Sequence, residues 1–239
     1  MRIAMLGDLH GNLPATLAVE RALGGLRVDE IWFLGDAVGK GPQSRETCDW
    51  VRANCTRIIG GNWDYGVGGR HFPADVYYWE QLGPERLEWL NSLPREMDAT
   101  ISGTRFRLFH GRPVTELLRV QDDQARLSET FTANGVTYGG VIFADSHRPF
   151  VRTMNVGYML NTGSVGNTMG VPKAHGLLIE GEPDSAEPGL LQMTVLSVPY
   201  DNEAAVAAAM ADDGLPMRDA YIREIRTGLY SRRMPTTAK

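Results

Sequence analysis

The chain has 239 residues and a formal net charge of −5, and it has no run of lysines and arginines that would predict a groove for bulk nucleic acid. Its composition is that of an ordinary globular protein, which argues against intrinsic disorder. No apolar segment approaches the roughly 20 residues of a membrane span, and no signal peptide is expected before the first strand. Two cysteines, Cys48 and Cys55, are too few for a disulfide framework. We therefore expect a cytoplasmic protein with a single domain over residues 1–239.

Strands and helices alternate in the first part of the chain. Strands are predicted over residues 2–7, 29–34 and 56–59, and helices from 13 to about 24 and from 44 to about 53. Asn12 suits the N-cap of the first helix, and Pro14 suits its first turn, where a missing N–H does no harm. The apolar residues of this helix are expected to form one stripe: Leu13, Leu17, Val19 and Leu23. The alternation predicts parallel βαβ units, in which ligands bind beyond the carboxyl ends of the strands.

After the third strand, residues 65–83 are predicted to form a long loop, and residues 84–93 a helix that Pro94 ends. Strands dominate the part of the chain that follows. One helix or two short ones are expected within residues 114–134. Further strands, in a more mixed sheet built from hairpins, are predicted over residues 105–109, 140–143, 157–160, 175–179 and 191–198. A helical tail is predicted over about residues 203–230.

Residues of metal-ligand type follow five of the predicted strands. They are Asp8 and His10, then Asp36, then Asn62, then His110, and finally Asp145 and His147. Oxygen and imidazole groups of this kind bind divalent metal ions. One Asp-x-His pair occurs often by chance, but five such groups in order, each directly after an apolar strand, predict a metal site.

Four segments closely resemble motifs of the calcineurin-like metallophosphoesterase superfamily, and in particular of its small bacterial and archaeal branch. They are GDLHGNLPA at residues 7–15, LGDAVGKGP at 34–42, NTGSVG at 161–166 and VPYD at 198–201. The order of the five ligand groups also resembles the family pattern, and the resemblance covers nearly the whole chain. It implies an α/β fold in which two mixed β-sheets form a sandwich flanked by helices, an α/β/β/α arrangement.

The resemblance also implies two divalent metal ions at the ends of the strands. One would bind Asp8, His10, Asp36 and His147, and the other would bind Asp36, Asn62, His110 and Asp145. Asp36 would bridge the pair, because a carboxylate has two oxygens and a charge that screens the cations from each other. A hydroxide shared by the metals would then attack phosphorus. Mn²⁺ is the favoured ion, with Mg²⁺, Fe²⁺ and Zn²⁺ as alternatives.

Two positions depart from the family pattern. Asp145 replaces a histidine, and we interpret it as an oxygen ligand that favours Mn²⁺ or Mg²⁺; the alternative is that it points away from the metals. Trp63 replaces the histidine thought to protonate the leaving group. Because tryptophan does not titrate, we expect no general acid at this position. Asp64, which would orient that histidine, is then expected to make a local turn or N-cap contact.

Other residues near these motifs are open to more than one interpretation. Arg112 would either clamp a phosphate or lie solvated in a loop, and the motif position leaves both open. Together with Asp36 and Asn62, it completes the set of candidate catalytic residues. Lys40, in the loop after Asp36, is expected to be solvated. The aromatic run at residues 77–79 is expected to pack under a loop rather than to stack on a nucleobase.

Together these features favour a dinuclear-metal phosphoesterase that hydrolyses phosphodiester or phosphomonoester bonds of a small phosphorylated substrate. A nucleotide fits this class, although no residue selects it. The alternative is a catalytically weak or inactive binding or scaffold protein with the same fold, as in the retromer scaffold subunit. The departures at Trp63 and Asp145 favour the scaffold interpretation. The six predicted ligands that match the family pattern favour the enzyme. The sequence is compatible with a homo-oligomer and predicts no membrane partner.

Overall fold

The computed structural model describes residues 1–111 and 124–232. Within them, the strands are β1 (Arg2–Leu6), β2 (Glu30–Phe33), β3 (Arg57–Ile58), β4 (Glu96–Ile101), β5 (Thr104–Phe109), β6 (Thr132–Ala133), β7 (Val136–Thr137), β8 (Gly140–Phe143), β9 (Phe150–Met154), β10 (Gly157–Asn161), β11 (Ala174–Glu180) and β12 (Gln192–Val198). The helices are α1 (Leu13–Leu26), α2 (Ser44–Asn54), α3 (Asn62–Gly68), α4 (Val76–Ser92), α5 (Gln124–Glu129), α6 (Asn202–Met210) and α7 (Arg218–Thr227), with a 3₁₀ turn at Pro73–Asp75. The helical stretch predicted at 114–134 is described only from residue 124, where α5 begins. No helix in the described ranges is long and apolar enough to cross a bilayer.

Two five-stranded mixed sheets form the centre of the described structure. In the first, β1, β2 and β3 run parallel, β11 pairs antiparallel with β1, and β12 pairs antiparallel with β11 at the edge. In the second, β5, β8 and β10 run parallel between the antiparallel edge strands β4 and β9. This arrangement confirms the predicted α/β fold of two mixed sheets flanked by helices.

Strand β1 shows how the layers pack. Its side chains alternate between two cores, because successive residues of a strand face opposite sides of the sheet. Ile3 and Met5 pack with Leu108 in a core between the two sheets. Ala4 and Leu6 face a second core, to which α1, α2, α4, α6 and α7 contribute. A third core covers the outer face of the second sheet beneath α5.

Residues 65–83 are mostly helical, so the prediction of a long loop is wrong. Helices α3 and α4 occupy most of this range. Helix α3 was not predicted because it contains several glycines, and glycine is a poor helix former. Gly68 is required there, because a Cβ on it would lie 2.8 Å from Asn91 N of the neighbouring α4. Helix α4 is interrupted at Gly83, whose φ is 72°, so the sequence revealed only the part that begins at Pro84.

Helix α1 begins as predicted, and Val19 and Leu23 of the predicted stripe are buried, but the stripe is only partly correct. Asn12 Oδ1 accepts a hydrogen bond from Ala15 N at 3.1 Å, and Pro14 lies in the first turn. Leu17, expected in the stripe, is 36% exposed, whereas Ala15 and Ala18 are buried. The first turns of α1 are apolar on several sides, so hydropathy alone could not locate the buried face.

Candidate metal centre

The predicted metal-ligand residues converge at one edge of the two sheets. Asp8 and His10 follow β1, Asp36 follows β2, Asn62 begins α3 after β3, His110 follows β5, and Asp145 and His147 follow β8. Both sheets therefore contribute side chains. Because the parallel strands of each sheet end at the same edge, His10 and His147 meet although they are 137 residues apart.

Five of these side chains form two overlapping clusters, and all five are buried. Ligand atoms lie within 4.8 Å of one another in Asp8, His10 and His147, and likewise in Asp8, Asp36 and His110. Asp8 Oδ1 is 3.4 Å from His10 Nε2 and 3.2 Å from His147 Nε2. Asp36 Oδ2 is 3.3 Å from His110 Nε2 and 3.6 Å from His10 Nε2. Each carboxylate thus lies between two imidazoles.

Several buried polar atoms at this site lack a hydrogen-bond partner, and a bound cation could interact with them. Asp8 Oδ1 and Asn62 Oδ1 are buried and make no hydrogen bond with any described residue. The Nε2 atoms of His10 and His147 face each other at 3.2 Å. Buried polar atoms without partners destabilise a fold. Oxygen and imidazole donors bind divalent transition metals, so the residues present fit such ions.

Backbone carbonyl groups orient the three imidazoles. Each ring is within hydrogen-bond distance of one carbonyl through Nδ1: His10 with Val38, His110 with Leu34, and His147 with Asn167. If the Nδ1–H donates to that oxygen, the Nε2 lone pair faces the centre. Histidine ligands of metals are oriented in this way, because the hydrogen bond fixes both the tautomer and the ring.

Charges at the centre shift its protonation in the metal-free protein. Burial acts to lower the pKa of His110, but the carboxylates of Asp36 and Asp8 outweigh it and hold this pKa well above its usual value. Burial acts to raise the pKa of Asp8, yet the neighbouring histidines hold it well below its usual range. The pKa of His10 falls to about 3 because of burial and the charge of Lys40. The carboxylates therefore favour the charged form of His110, whereas burial and Lys40 disfavour that of His10.

Most of the predicted ligands have left-handed backbone conformations, which are uncommon outside glycine. Positive φ angles between 47° and 62° occur at Asp8, His10, Asp36, Asp145 and His147. Each such residue costs about 1–2 kcal/mol, so the surrounding structure must hold it in place. Backbone strain of this kind concentrates at functional sites, where it directs side chains toward one point.

Asp64 holds the loop that carries Asp36. Its carboxylate accepts hydrogen bonds from the backbone N–H groups of Asp36 at 2.7 Å, Ala37 at 2.9 Å and Gly61 at 2.9 Å. The contact with Gly61 is the local one expected at the start of α3, whereas those with Asp36 and Ala37 join distant segments and were not predicted. Gly61 is required here, because a Cβ on it would lie 2.1 Å from Asp36 Oδ1. The same oxygen accepts a hydrogen bond from Trp63 N at 2.8 Å.

Asp145 lies beside the two clusters rather than within them. Its Oδ1 is 3.6 Å from His110 Nε2, and its backbone N–H donates to Asp8 Oδ2 at 3.0 Å. Burial raises the pKa of its carboxyl group to about 6, and His110 acts in the opposite direction. Its role as a ligand stays a prediction. Arg112 lies outside the described residues, so its predicted contact with phosphate also stays a prediction.

Lys40 is buried, so the prediction of a solvated side chain is wrong. It is 6% exposed, and its Nζ lies 3.4 Å from His147 Nε2 and 3.2 Å from Asn167 Oδ1. Burial and the charge of Arg232 lower its pKa to about 8, so the amine is mostly protonated at neutral pH. Sequence reasoning missed Lys40 and Asn167 as site residues, because distant segments of the chain bring them together.

Trp63 forms a wall of the centre. Its ring lies edge-on to the ring of His10, with centroids 5.9 Å apart, and to that of Tyr78 at 6.0 Å. Gly39 allows this packing, because a Cβ there would lie 2.1 Å from the indole ring. Tyr78 is buried, as expected for an aromatic residue that packs beneath a loop.

Comparison with known proteins places this chain in a family. The model of the calcineurin-like phosphoesterase superfamily domain matches residues 1–182 of the 239. A crystal structure of a metallophosphoesterase from Sphaerobacter thermophilus has a TM-score of 0.75 at 27% identity and covers 96% of this chain and 99% of its own. That similarity covers a larger share of the chain than residues 1–182 do.

Two relatives are also similar in sequence. An uncharacterised protein of Methanocaldococcus jannaschii, MJ0912, is 29% identical over 174 residues, which are 68% of this chain and 69% of that protein. The symmetrical bis(5′-nucleosyl)-tetraphosphatase of Erwinia tasmaniensis is 36% identical over 69 residues, which are 27% of this chain and 24% of that enzyme. The second match is too short to transfer a substrate.

Proposed function

The chain belongs to the calcineurin-like phosphoesterase superfamily, and from this premise we propose that it is a dinuclear-metal phosphoesterase acting on a small phosphorylated substrate. The observation that carries the proposal is the pair of buried clusters that share Asp8. The proposed ligands are Asp8, His10, Asp36 and His147 for one ion, and Asp36, Asn62, His110 and Asp145 for the other. Mn²⁺ is favoured by this donor set, with Mg²⁺, Fe²⁺ and Zn²⁺ as alternatives.

The chain's own groups have distinct roles in this proposal. Divalent ions bound at the clusters would polarise a phosphoryl group and lower the pKa of an attacking water. Asn62 offers a neutral carbonyl oxygen, whose atom is buried without a hydrogen bond to any described residue. Lys40 offers a buried ammonium beside His147, which suits it to bind a phosphate oxygen.

Trp63 limits which esters would react well. Its indole cannot supply a proton to a departing alkoxide. Absence of a general acid slows hydrolysis by roughly 10²–10⁴-fold, and poor leaving groups suffer most. The favoured substrates are therefore phosphodiesters, phosphoanhydrides or monoesters with good leaving groups. A nucleotide falls within this class, and the similarity to 24% of a tetraphosphatase supports no narrower choice.

Metal analysis and turnover of bis(p-nitrophenyl) phosphate test the proposal. We expect two bound ions per chain after loading with Mn²⁺, and turnover that Asp36→Asn abolishes. Asp219→Asn, which changes an exposed aspartate of α7, is the matched control and should leave turnover unchanged. Full turnover in Asp36→Asn would contradict the bridging role. Bound metal without turnover for any of several ions would instead support the scaffold alternative.

A further inference from the structure

A series of buried polar contacts connects the candidate metal centre to the end of the described chain. Lys40 Nζ donates a hydrogen bond to Asn167 Oδ1 at 3.2 Å, and Asn167 Nδ2 donates to Glu224 Oε2 at 3.1 Å. Arg232 Nε donates to the same carboxylate oxygen at 3.3 Å. The backbone N–H of Ser231 donates to the other oxygen, Glu224 Oε1, at 3.0 Å. The Glu224 side chain is 0% exposed.

The contact with Asn167 goes beyond what the fold of α7 requires. A buried carboxylate is strongly destabilising unless its oxygens are paired. Arg232 and Ser231 already supply a cation and an N–H to Glu224, and both lie just after the helix. The amide of Asn167 instead belongs to a segment near the metal centre, where its backbone oxygen is the hydrogen-bond partner of His147 Nδ1.

Glu224 determines which way the Asn167 amide faces. An asparagine has one carbonyl oxygen and one NH₂ group, so its orientation decides whether it attracts or repels a nearby ammonium. A carboxylate that is paired with Arg232 accepts hydrogen bonds, so the NH₂ group faces Glu224. The carbonyl oxygen then faces Lys40 and accepts a hydrogen bond from its ammonium.

We propose that Glu224 is a positioning residue of the phosphoesterase site, which acts through Asn167 to hold the ammonium of Lys40 beside His147. This inference rests on the proposed function, since a fixed ammonium there serves to bind a substrate phosphate. Glu224 lies beyond residues 1–182, which match the superfamily domain. Helix α7 would thus contribute to the phosphoesterase site, although it lies outside the residues that match the superfamily domain.

A second contact places α7 against the loop of Lys40. The hydroxyl of Tyr221, which is fully buried, would lie 2.9 Å from a Cβ on Gly41. Helix α7 therefore packs directly on the residue that follows Lys40. Movement of this helix would displace the loop as well as the Asn167 amide.

Steady-state kinetics of Glu224→Gln test the proposal. We expect kcat/KM for bis(p-nitrophenyl) phosphate to fall about tenfold, the effect of one weakened hydrogen bond to a charged group, with metal content unchanged. The matched control is Glu203→Gln, which removes an exposed ion pair between α6 and Arg226 of α7. It should retain wild-type kinetics, because Glu203 has no contact with Asn167.

A double-mutant cycle with Lys40→Met separates positioning from a structural role. If Glu224 acts through the ammonium, Glu224→Gln should have no further effect on kcat/KM once Lys40 is replaced. An equal loss in both backgrounds would overturn the proposal. Asn167→Ala cuts the same connection while Glu224 keeps Arg232, so it serves if Glu224→Gln does not fold. It should likewise lower kcat/KM only when Lys40 is present.

Amine acetylation gives a measurement that does not depend on turnover. The sequence contains three lysines, of which Lys173 is exposed and provides an internal reference for the buried Lys40. Mass spectrometry should show slow modification of Lys40 in the wild type and in Glu203→Gln, and modification at least about tenfold faster in Glu224→Gln. An unchanged Lys40 rate would overturn the positioning role. An increase in a protein that hydrolyses no ester would support it while refuting the proposed function.

Discussion

His10 Nε2 and His147 Nε2 approach to 3.2 Å inside the protein, with Asp8 Oδ1 beside both. Backbone carbonyls lie next to the Nδ1 atoms of the two rings, and if each Nδ1–H donates to its carbonyl, both Nε2 lone pairs face one buried point. Two such lone pairs repel each other unless a cation or a proton lies between them. A divalent ion bound here, as we propose, would account for the close approach of these atoms.

Metal removal should lower the thermal stability. An ion present at a thousandfold excess over its Kd adds about 4 kcal/mol to the free energy of unfolding. For a chain of this size, that corresponds to a rise in Tm of about 8–16 °C. Differential scanning fluorimetry of chelator-treated protein, with and without Mn²⁺, measures the shift. The Asp8→Asn variant should lose most of it, and an equal Tm with and without metal in the wild type would contradict the account.

Metal affinity should increase with pH. The carboxylates around His110 raise its pKa well above the usual value, so this imidazole is protonated at neutral pH in the metal-free protein. A metal ligand must be deprotonated, so binding releases that proton. Affinity should therefore rise with pH and level off above the raised pKa. Calorimetry at pH 7 in buffers with different ionisation enthalpies measures the release, and equal heats in all buffers would contradict the prediction.

Replacing Trp63 by histidine should increase hydrolysis of monoesters with poor leaving groups. A titratable imidazole could donate the proton that indole cannot. We expect a gain of about tenfold, which is below the roughly 10²–10⁴-fold of general acid catalysis because the packing against Tyr78 is lost. Trp63→Phe is the control for that lost packing. A Trp63→His rate no higher than that of Trp63→Phe would show that no proton is needed from this position.

Lys40→Met should weaken substrate binding without loss of metal. A hydrogen bond from a buried ammonium to phosphate contributes about 1.5–3 kcal/mol, which is roughly 10–100-fold in kcat/KM. Lys40→Arg should recover part of this loss, whereas Lys173→Met, at an exposed lysine, should have no effect. Kinetics and metal analysis on the same samples test the assignment. A Lys40→Met variant with wild-type kinetics would exclude Lys40 from the site.

The sequence predicted which side chains converge at this edge because most of them follow an apolar strand directly, and their role as metal ligands stays a prediction. The convergence of Asp8, Asp36 and His110 could be predicted from the positions of the strands alone, because parallel strands end at one edge of a sheet. The two mixed sheets were predicted from the resemblance of the motifs to a known family. The hydrophobic periodicity of the sequence alone does not indicate how the strands are arranged in sheets. The left-handed backbone at Asp8 and Asp36 has no sequence signal, since local propensity disfavours it.

The rest of the site depends on contacts between distant segments. Lys40 stands between two glycines, a local context that suggests solvent, and it is buried only because Asn167 and α7 cover its loop. Helix α3 also depends on a tertiary contact. Its close packing on α4 requires Gly68, although glycine has a low helix propensity. Such tertiary effects override local propensity and lie beyond single-sequence reasoning.

Anomalous scattering from crystals loaded with Mn²⁺ tests the central claim most directly. The account predicts two peaks per chain, about 3.5–4 Å apart as in other two-metal sites, with Asp36 between them and Asp8, His10, Asn62, His110 and His147 around them. A single peak, or peaks away from these side chains, would contradict a dinuclear centre.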